Sequence, residues 1–554
     1  MKIRNVLFSL SLFALVAGGV STVFSYPKAN NEIYATESEP DVIIDSRNDM
    51  VNFIASCNSG VTYEDQLIRL DVDIDDPIVI NTATPEVSTF KGTFNGNNHL
   101  ISFEIDDDEY RQYMWTYNYG VIKNFTVVIN AIKSKGQISL VRNNYGLIDN
   151  VVSEINSTLE ISFITGIARE NFDGGIISNC TFTGTLSVSS KTEGIFYAGI
   201  VYQVSGGSII GCKNRGSITA CGKNAGIAIY LRGGEIVDCS NYSQINVTGE
   251  GAAGIVCFAG NSSSGTIPTI RITRCINYGF INGKYQCGGI VAYITPHLEI
   301  TYCSNYGKVK ASDKSTSYGV GGIFSAVYPS STTDSVVQYC YNGGDCEGVI
   351  YVGGIGGRVI DTKKISTRIL NCFSTGNVKA TDSSTPNTGT LLAFANADNI
   401  VVSDSYAVGD YDVPVAAPED TYGYGIGSGT ARDDSSSLSH GVSDDFRDVV
   451  RFIRDYNCEE DISEFKNTFN SLSEDEINLL DQVAYYDEHT EFVQRTYKEA
   501  AEYIIGYQES RLESLTSSNY ADQNLIITIT FITISSTAIA TLVLLIVVKR
   551  KRVR

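Results

Sequence analysis

A repeated phrase in the middle of this chain constrains its fold more than any other feature of the sequence. The phrase opens with Gly-Ile and continues through a short apolar stretch, a polar turn, and a second apolar stretch that ends in cysteine. A turn rich in asparagine and glycine and a third short stretch complete it. The opening glycines recur every 27 to 35 residues, at Gly166, Gly199, Gly226, Gly254, Gly289, Gly322 and Gly354. A period in this range predicts a repeat architecture, in which each unit buries its apolar face only against its neighbours.

The cysteines keep step with these glycines. They fall at one position of the phrase, at Cys180, Cys212, Cys239, Cys275, Cys303, Cys340 and Cys372. Phe125 and Val151 occupy the same position before them and Ser405 occupies it after them, giving about ten coils between residues 110 and 415. Because Phe and Val replace Cys, the position is expected to face inward, as a ladder of reduced cysteines. Coils about 4.8 Å apart also lie within reach of disulfides, which remain an alternative.

Three short strands per coil, with Gly and Asn at corners that favour positive φ, predict a mainly β chain folded as a right-handed parallel β-helix. The repeats occupy residues 106–412. Residues 26–105 are expected to supply an N-terminal cap and the first rungs, with a short amphipathic helix around Asp49–Ile54 covering the open end.

The phrase resembles a known repeat. The stretch N-C-F-S-T-G-N-V at 371–378 is similar almost throughout to the GLUG motif of bacterial surface and adhesin-like proteins, and the resemblance covers about residues 110–410. Several coils lack the central Gly-x-Asn turn, and residues 261–270 insert a Ser/Gly-rich loop. The resemblance implies a surface-displayed β-helix. Some members carry a zinc peptidase, which requires H-E-x-x-H, and this chain has no two histidines at that spacing.

The two ends predict where the protein resides. Residues 1–25 have the basic start, apolar run and small-residue end of a secretory signal peptide. Residues 525–548 form an uncharged run long enough to span a bilayer, and the basic tail 549–554 follows it. Since positive residues stay on the cytoplasmic side, we expect a single-pass protein of the cell membrane with an extracellular body.

Between the repeats and this run, the composition changes twice. Residues 413–440 are rich in Gly, Ser, Asp and Pro and are expected to be a linker. Residues 441–520 are expected to form a small acidic helical module near the membrane. Its signals are an apolar stripe in the first helix, a capping box of Ser473 and Glu476 in the second, and a third helix from about Glu491 to Leu512.

Composition and motifs give no catalytic, cofactor or metal residues. A net charge of −21 with no visible basic stripe argues against nucleic acid as a partner. Asp71, Asp73 and Asp75 share one face of a strand, and 106–108 is a second acidic cluster. Calcium is an alternative to a plain solvated surface for these carboxylates. No coil repeats the carboxylate and cation group that a polysaccharide lyase or glycosidase needs, so we expect no enzyme.

The remaining hint of function is aromatic. Tyrosines recur in Asn-Tyr-Gly turns, at Tyr119, Tyr145, Tyr278 and Tyr306. Stacked at the corners they offer a ridge for a sugar or protein, although they also serve simply to cover the turn edges. The sequence thus predicts adhesion or binding of an unknown extracellular protein or glycan without catalysis. A polysaccharide-active enzyme on the same scaffold and a purely structural coat protein are the alternatives.

Overall fold

A computed structural model describes residues 39–80, 87–106, 111–133, 137–188, 194–260, 270–295, 298–314, 319–328, 335–360, 367–382, 388–389, 391–403, 405–407, 429–432, 444–455, 462–482, 484–487 and 493–506. The rod within them is a parallel β-solenoid of about ten turns, which confirms the predicted mainly β solenoid. Every strand pair of the rod is parallel, and each strand pairs with its equivalent in the coils before and after it.

A central coil contains five short strands, two more than the sequence predicts. Equivalent strands of successive coils stack in five columns, which we name d, e, a, b and c in the order in which the chain passes through them. In one central coil the strands of these columns are, in the same order, Lys223–Ala225, Ala228–Leu231, Glu235–Val237, Ser240–Asn241 and Ile245–Val247. The added strands, in columns d and b, are only two or three residues long in this part of the rod.

Column d contains the first halves of Arg111–Asn118 and Gln137–Asn144, then Phe163–Thr165, Phe196–Ala198, Lys223–Ala225, Gly251–Ala253, Gln286–Gly288, Val320–Gly321, Val352–Gly353 and Thr388–Gly389. Column e contains Val87–Phe90, the second halves of Arg111–Asn118 and Gln137–Asn144, then Ala168–Asn171, Val201–Val204, Ala228–Leu231, Val256–Ala259, Val291–Ile294, Phe324–Val327, Gly356–Ile360 and the first half of Leu392–Ser403. Gly429–Arg432 pairs with Leu392–Ser403.

Column a contains Val42–Ile44, Leu67–Leu70, Thr93–Asn95, the first halves of Val121–Lys133 and Leu147–Asn156, then Ile176–Ser178, Ser208–Ile210, Glu235–Val237, Ile270–Thr273, Leu298–Thr301, Ser335–Gln338, Thr367–Leu370 and the end of Leu392–Ser403. Column b contains Ile74–Ile80, Leu100–Asp106, the second halves of Val121–Lys133 and Leu147–Asn156, then Thr181–Phe182, Lys213–Asn214, Ser240–Asn241, Ile276–Asn277, Ser304–Asn305, Tyr341–Asn342, Phe373–Ser374 and Tyr406–Ala407. Column c contains Thr185–Ser187, Ser217–Ala220, Ile245–Val247, Ile281–Gly283, Val309–Ala311, Cys346–Gly348 and Val378–Ala380.

The N-terminal end of the rod is closed by helix α1, Arg47–Asn58, at the place where the sequence predicts a helix. Ser46 caps it, since its hydroxyl accepts the backbone N–H of Asp49 at 3.2 Å. The buried face of α1 carries Phe53, whose ring lies 5.7 Å from that of Phe94 and 6.0 Å from that of Phe90. This aromatic contact covers the apolar interior that an open first coil would expose to water.

The opening glycines are required by close approach between coils. A Cβ built on Gly254 would lie 2.3 Å from the carbonyl oxygen of Gly289 and 2.4 Å from Oδ1 of Asn277. A Cβ built on Gly226 would likewise lie 2.2 Å from the carbonyl oxygen of Gly254. The positive φ predicted for Gly and Asn at corners occurs elsewhere in the coil, at Gly174, Gly207 and Gly234 between columns e and a. It also occurs just before the cysteine position, at Asn124, Asn150, Asn179, Gly211, Asp238, Arg274, Tyr302, Tyr339 and Asn371.

Two ladders of buried asparagines run along the rod. At the end of column b, Nδ2 of each side chain donates to Oδ1 of the next at 2.6 to 2.8 Å, through Asn214, Asn241, Asn277, Asn305 and Asn342. At the end of column e a shorter ladder joins Asn118, Asn144 and Asn171, at 2.8 Å per step. The sequence indicates these residues only as turn formers. Their buried amides satisfy one another and the backbone of the turn, which fixes the register of successive coils.

The C-terminal module combines helices with a β-hairpin, which corrects the predicted all-helical bundle. Its helices are α2 (Asp444–Asp455), α3 (Ser463–Ser471), α4 (Glu474–Gln482) and a helical stretch at 497–506. The hairpin pairs Ala484–Asp487 with Val493–Thr496, so the segment at 493–496 that was predicted to be helical is a strand.

The predicted signals at the helix starts of this module are largely confirmed. The apolar stripe of α2 buries Phe446, Val449, Val450 and Ile453. The capping box is present, with Glu476 N–H donating to Ser473 Oγ at 3.3 Å and Ser473 N–H donating to the Glu476 carboxylate at 3.0 Å. The module packs on the rod through aromatic contacts, with the ring of Tyr497 5.2 Å from that of Tyr341.

No helix within the described ranges is both long and apolar enough to cross a membrane. The predicted signal peptide 1–25, the predicted membrane span 525–548 and the basic tail 549–554 lie outside those ranges.

Candidate ligand-contact surface

The cysteine position forms a continuous buried ladder, as predicted. All twelve cysteines that the structure describes are free thiols and buried. Each ladder Sγ lies 3.5 to 3.8 Å from a carbonyl oxygen of the preceding coil, from Cys180 on Ile148 to Cys372 on Val337. Ser405 continues the series, since its Oγ accepts the backbone N–H of Cys372 at 3.0 Å.

All seven ladder thiols are buried, so they are expected to be closed to a water-soluble reagent in the folded protein. Burial also raises the pKa of five of them, Cys180, Cys239, Cys275, Cys303 and Cys340, which keeps these thiols protonated. A water-soluble maleimide at about pH 9 should leave the seven ladder peptides unlabelled in the native chain and label them after denaturation. Peptide-level mass spectrometry measures both. An exposed positive control, Ser312→Cys, should react at once. Detection of two successive ladder peptides joined by a disulfide would contradict the prediction that the ladder cysteines are reduced.

The four Asn-Tyr-Gly tyrosines lie at two different corners. Tyr119 and Tyr145 stack at the end of column e, at 4.8 Å and 10°, and Tyr278 and Tyr306 stack at the end of column b, at 5.3 Å and 9°. In such parallel stacks each ring covers the face of its neighbour, so the stacks present ring edges outward. The predicted single ridge is therefore two short stacks, and their geometry suits the covering of turns better than stacking on a sugar.

A different set of aromatic side chains runs along the outside of columns d and e. Neighbouring ring centroids in this aromatic row are 4.5 to 6.1 Å apart, and all its members are half-buried; they are Phe163, Phe196, Tyr202, Tyr230, Phe258, Tyr293 and Tyr328. Phe258, Tyr293 and Tyr328 stack in parallel, at 16° and 12°. Tyr202 and Tyr230 are steeply tilted, with 75° between their two rings and 55° between the rings of Tyr230 and Phe258. Such tilts leave parts of ring faces uncovered by neighbours.

Sequence reasoning missed this row because its members come from different positions of the repeat. Tyr230, Phe258 and Tyr293 share one register position, but Tyr202 lies one residue earlier and Phe196 belongs to column d. A search for aromatic residues on the outward positions of the apolar stretch that follows Gly-Ile would have found its centre.

The first acidic cluster is divided among separate partners. Arg69 holds the Asp71 carboxylate at 2.6 Å, and its hydrogen bond lowers the pKa of Asp71. Asp73 accepts the backbone N–H of Leu100 and the ring of His99, each at 2.9 Å. The side chains at 106–108 lie outside those described. Within the described part of the chain, no three His, Cys, Asp or Glu side chains converge as a metal site would require.

The outer face of column c brings together a charged cluster that the sequence does not predict. Glu347 lies between Lys308 and Lys310, with each ammonium nitrogen 2.7 Å from one of its carboxylate oxygens. Asp345 and Lys379 line the same shallow depression. The hydrogen bonds from Lys308 and Lys310 lower the pKa of Glu347 to about 2. A carboxylate held ionised in this way cannot donate a proton at neutral pH, and it is a weak base.

Glu347→Gln is expected to destabilise the rod by about 1 kcal/mol at neutral pH, because two lysines lose their common partner. The Glu347 pKa is lowered from 4.5 to about 2, so its stabilisation is complete above the unfolded value and disappears as the pH falls through this range. The difference in melting temperature between the native chain and the variant should therefore narrow between about pH 5 and pH 2. A difference that does not change with pH would exclude the ion pair as its cause.

Comparison with known proteins gives no family. No protein-family model matches the chain, and no curated protein matches it. Among solved structures, the chain is similar to a crystal structure of "a putative immunoglobulin A1 protease" from Bacteroides ovatus, with 17% sequence identity and a TM-score of 0.26. The match covers 67% of this chain and 85% of the other. At this TM-score the likeness supports no argument about activity.

Proposed function

We propose that this protein is a membrane-anchored surface protein, of the kind that the GLUG resemblance implies, whose rod binds an extracellular glycan or protein without chemical turnover. The observation that carries the proposal is the aromatic row, in which half-buried rings from successive coils lie side by side along one flank of the rod. Aromatic side chains that are neither fully buried nor fully solvated are typical of contact surfaces. The apolar run at 525–548 and the basic tail support tethering to the cell membrane.

The proposal is tested by applying the full chain to glycan and matrix-protein arrays, with uronate polymers included as substrates for turnover. Binding without product is the expected result. Appearance of unsaturated sugar product would favour an enzyme, and silence in every assay would favour a structural coat protein. Tyr230→Ala combined with Phe258→Ala should weaken binding at least about tenfold. The matched control removes the exposed corner pair, Tyr302 and Tyr339, and should leave binding unchanged.

A polysaccharide-active enzyme is the second candidate, and the column c cluster is the observation that favours it. Glu347 with its two lysines provides the carboxylate and cations that such enzymes use. The lowered pKa of Glu347 argues against its service as the acid of a glycosidase. Turnover of a uronate polymer that is lost in Glu347→Gln would establish this candidate in place of the first.

A further inference from the structure

Four arginines on the outside of column e form an arginine strip beside the aromatic row. They come from coils far apart in sequence and are Arg142, Arg169, Arg232 and Arg358. Arg142 and Arg169 occupy the same place in adjacent coils, because Val141 pairs with Ala168. Arg358 pairs with Ala326, and Arg232 directly follows its column e strand. The strip spans eight successive strands, which corresponds to about 34 Å at 4.8 Å per coil.

Aromatic rings hold three of these side chains in place. The guanidinium carbon of Arg232 lies 4.9 Å from the ring centre of Tyr230. The guanidinium of Arg358 lies 4.9 Å from the ring of Tyr351 and 5.0 Å from that of Phe394, and Arg142 lies 5.8 Å from Tyr113. Stacking of this kind orients the planar group and leaves its outer N–H donors available.

None of the four finds an acceptor for its Nε among the residues that the structure describes, although this atom is buried in each of them. Two arginines of the column a flank are paired with carboxylates instead. Arg271 contacts Glu299 at 3.1 Å and Arg274 contacts Asp238 at 2.6 Å. Within the described ranges, Arg271 and Arg274 are therefore paired with carboxylates, whereas no ion pair joins an arginine of the strip to a carboxylate.

Two carboxylates of columns d and e have hydrogen-bond partners of their own. Glu170 accepts a hydrogen bond from Gln203 at 2.9 Å and another from Ser205 at 2.5 Å. Glu250 is paired with Lys223 at 2.9 Å. Because no described carboxylate offsets the charge of these four side chains, an anionic ligand that contacts the exposed atoms of the half-buried arginines would be bound favourably.

We infer that the arginine strip and the aromatic row together bind an acidic polysaccharide, a glycan that carries carboxylate or sulfate groups, lying along the rod. This rests on the proposed function and names its ligand class. Guanidinium groups bind carboxylate and sulfate oxygens in pairs, and the tilted rings expose electron-rich faces to the C–H bonds of a sugar ring. An acidic polysaccharide combines negative groups with apolar ring faces, so one ligand can contact the arginine strip and the aromatic row together.

The test measures binding of the full chain to heparin, polygalacturonate and neutral dextran, with polyglutamate and duplex DNA as other polyanions. Heparin or polygalacturonate should bind, more weakly as salt rises. Arg169→Gln combined with Arg232→Gln should weaken this binding at least about tenfold. The matched control, Arg271→Gln with Arg274→Gln, removes the same charge from column a and should change binding less than about twofold. The pair Arg169→Lys and Arg232→Lys keeps the charge, and its loss of binding should lie between the losses of the two glutamine pairs.

Equal losses of binding in the two glutamine pairs would overturn the inference, because they would show that binding depends only on the overall charge of the chain. Polyglutamate or DNA bound as tightly as the glycans, with the same dependence on Arg169 and Arg232, would overturn the choice of a polysaccharide. If the chain bound a neutral glycan or a matrix protein but no acidic polysaccharide, the proposed function would be supported and this inference would be overturned. Unchanged melting temperatures in all three pairs show that the folded rod is being compared.

Discussion

Gly254→Ala is expected to destabilise the rod by about 3 kcal/mol, one of the two largest effects of a single substitution predicted for this chain. The added Cβ would lie 2.3 Å from the Gly289 carbonyl oxygen and 2.4 Å from Asn277 Oδ1. Neither atom can move alone, since Gly289 O accepts the Gly254 N–H at 3.0 Å and the asparagine belongs to a buried ladder. Two coils must therefore separate locally.

Urea unfolding measures the total loss, and hydrogen exchange shows where it occurs. Exchange should accelerate first in Val256–Ala259 and Val291–Ile294, because coils in a solenoid contact only their neighbours. Gly174→Ala is the control within the same rod. It has a φ of +82° but nothing within 4 Å of the added carbon, so about 1 kcal/mol is expected from backbone strain alone. A loss at Gly254 no greater than that at Gly174 would show that close approach is not what requires glycine.

The features that the sequence predicts well are those that recur once per coil. Because every coil places one side chain at the cysteine position, Phe125, Val151 and Ser405 were assignable to the ladder without a structure, and all three are buried there. The helical capping box at Ser473 was predictable because it depends only on residues three apart. Local or strictly periodic constraints are thus visible in a single chain.

Features that depend on neighbours in space escaped the prediction. Glycine before isoleucine recurs visibly in the sequence, but the carbonyl of the next coil requires it, and no local pattern reveals that contact. The strand Val493–Thr496 was assigned to a helix because its pairing with Ala484–Asp487 depends on tertiary contacts that override propensity. Arg142 and Arg358 are 216 residues apart, so the sequence displays no basic stripe although folding places both on one flank.

Asn277→Ala should destabilise the rod by about 3 kcal/mol, because the alanine leaves buried polar groups of two neighbouring coils without partners. Nδ2 of Asn277 donates to Gly279 O at 3.0 Å and to Asn305 Oδ1 at 2.7 Å, and its Oδ1 accepts from Asn241 at 2.7 Å. Water cannot replace these bonds without entering the interior, since Asn277 is fully buried. Urea unfolding of the native chain and the variant measures the loss.

Asn277→Asp separates hydrogen bonding from shape, because the two side chains are nearly the same size. At neutral pH a carboxylate accepts from Asn241 but donates to neither Gly279 O nor Asn305 Oδ1, so the loss should at least equal that of alanine. Burial raises the pKa of such a carboxyl, and the protonated form regains one donor, so the deficit relative to the native chain should shrink as the pH falls to about 4. The matched control is Asn282→Ala. Asn282 is half-buried on the outer side of column c, and its side chain donates to Asn246 Oδ1 at 3.3 Å. Its replacement should lower the free energy of unfolding by less than about 0.5 kcal/mol. A deficit of Asn277→Asp that stays constant with pH, or a loss at Asn282 equal to that at Asn277, would mean that the ladder's hydrogen bonds are not what joins the coils.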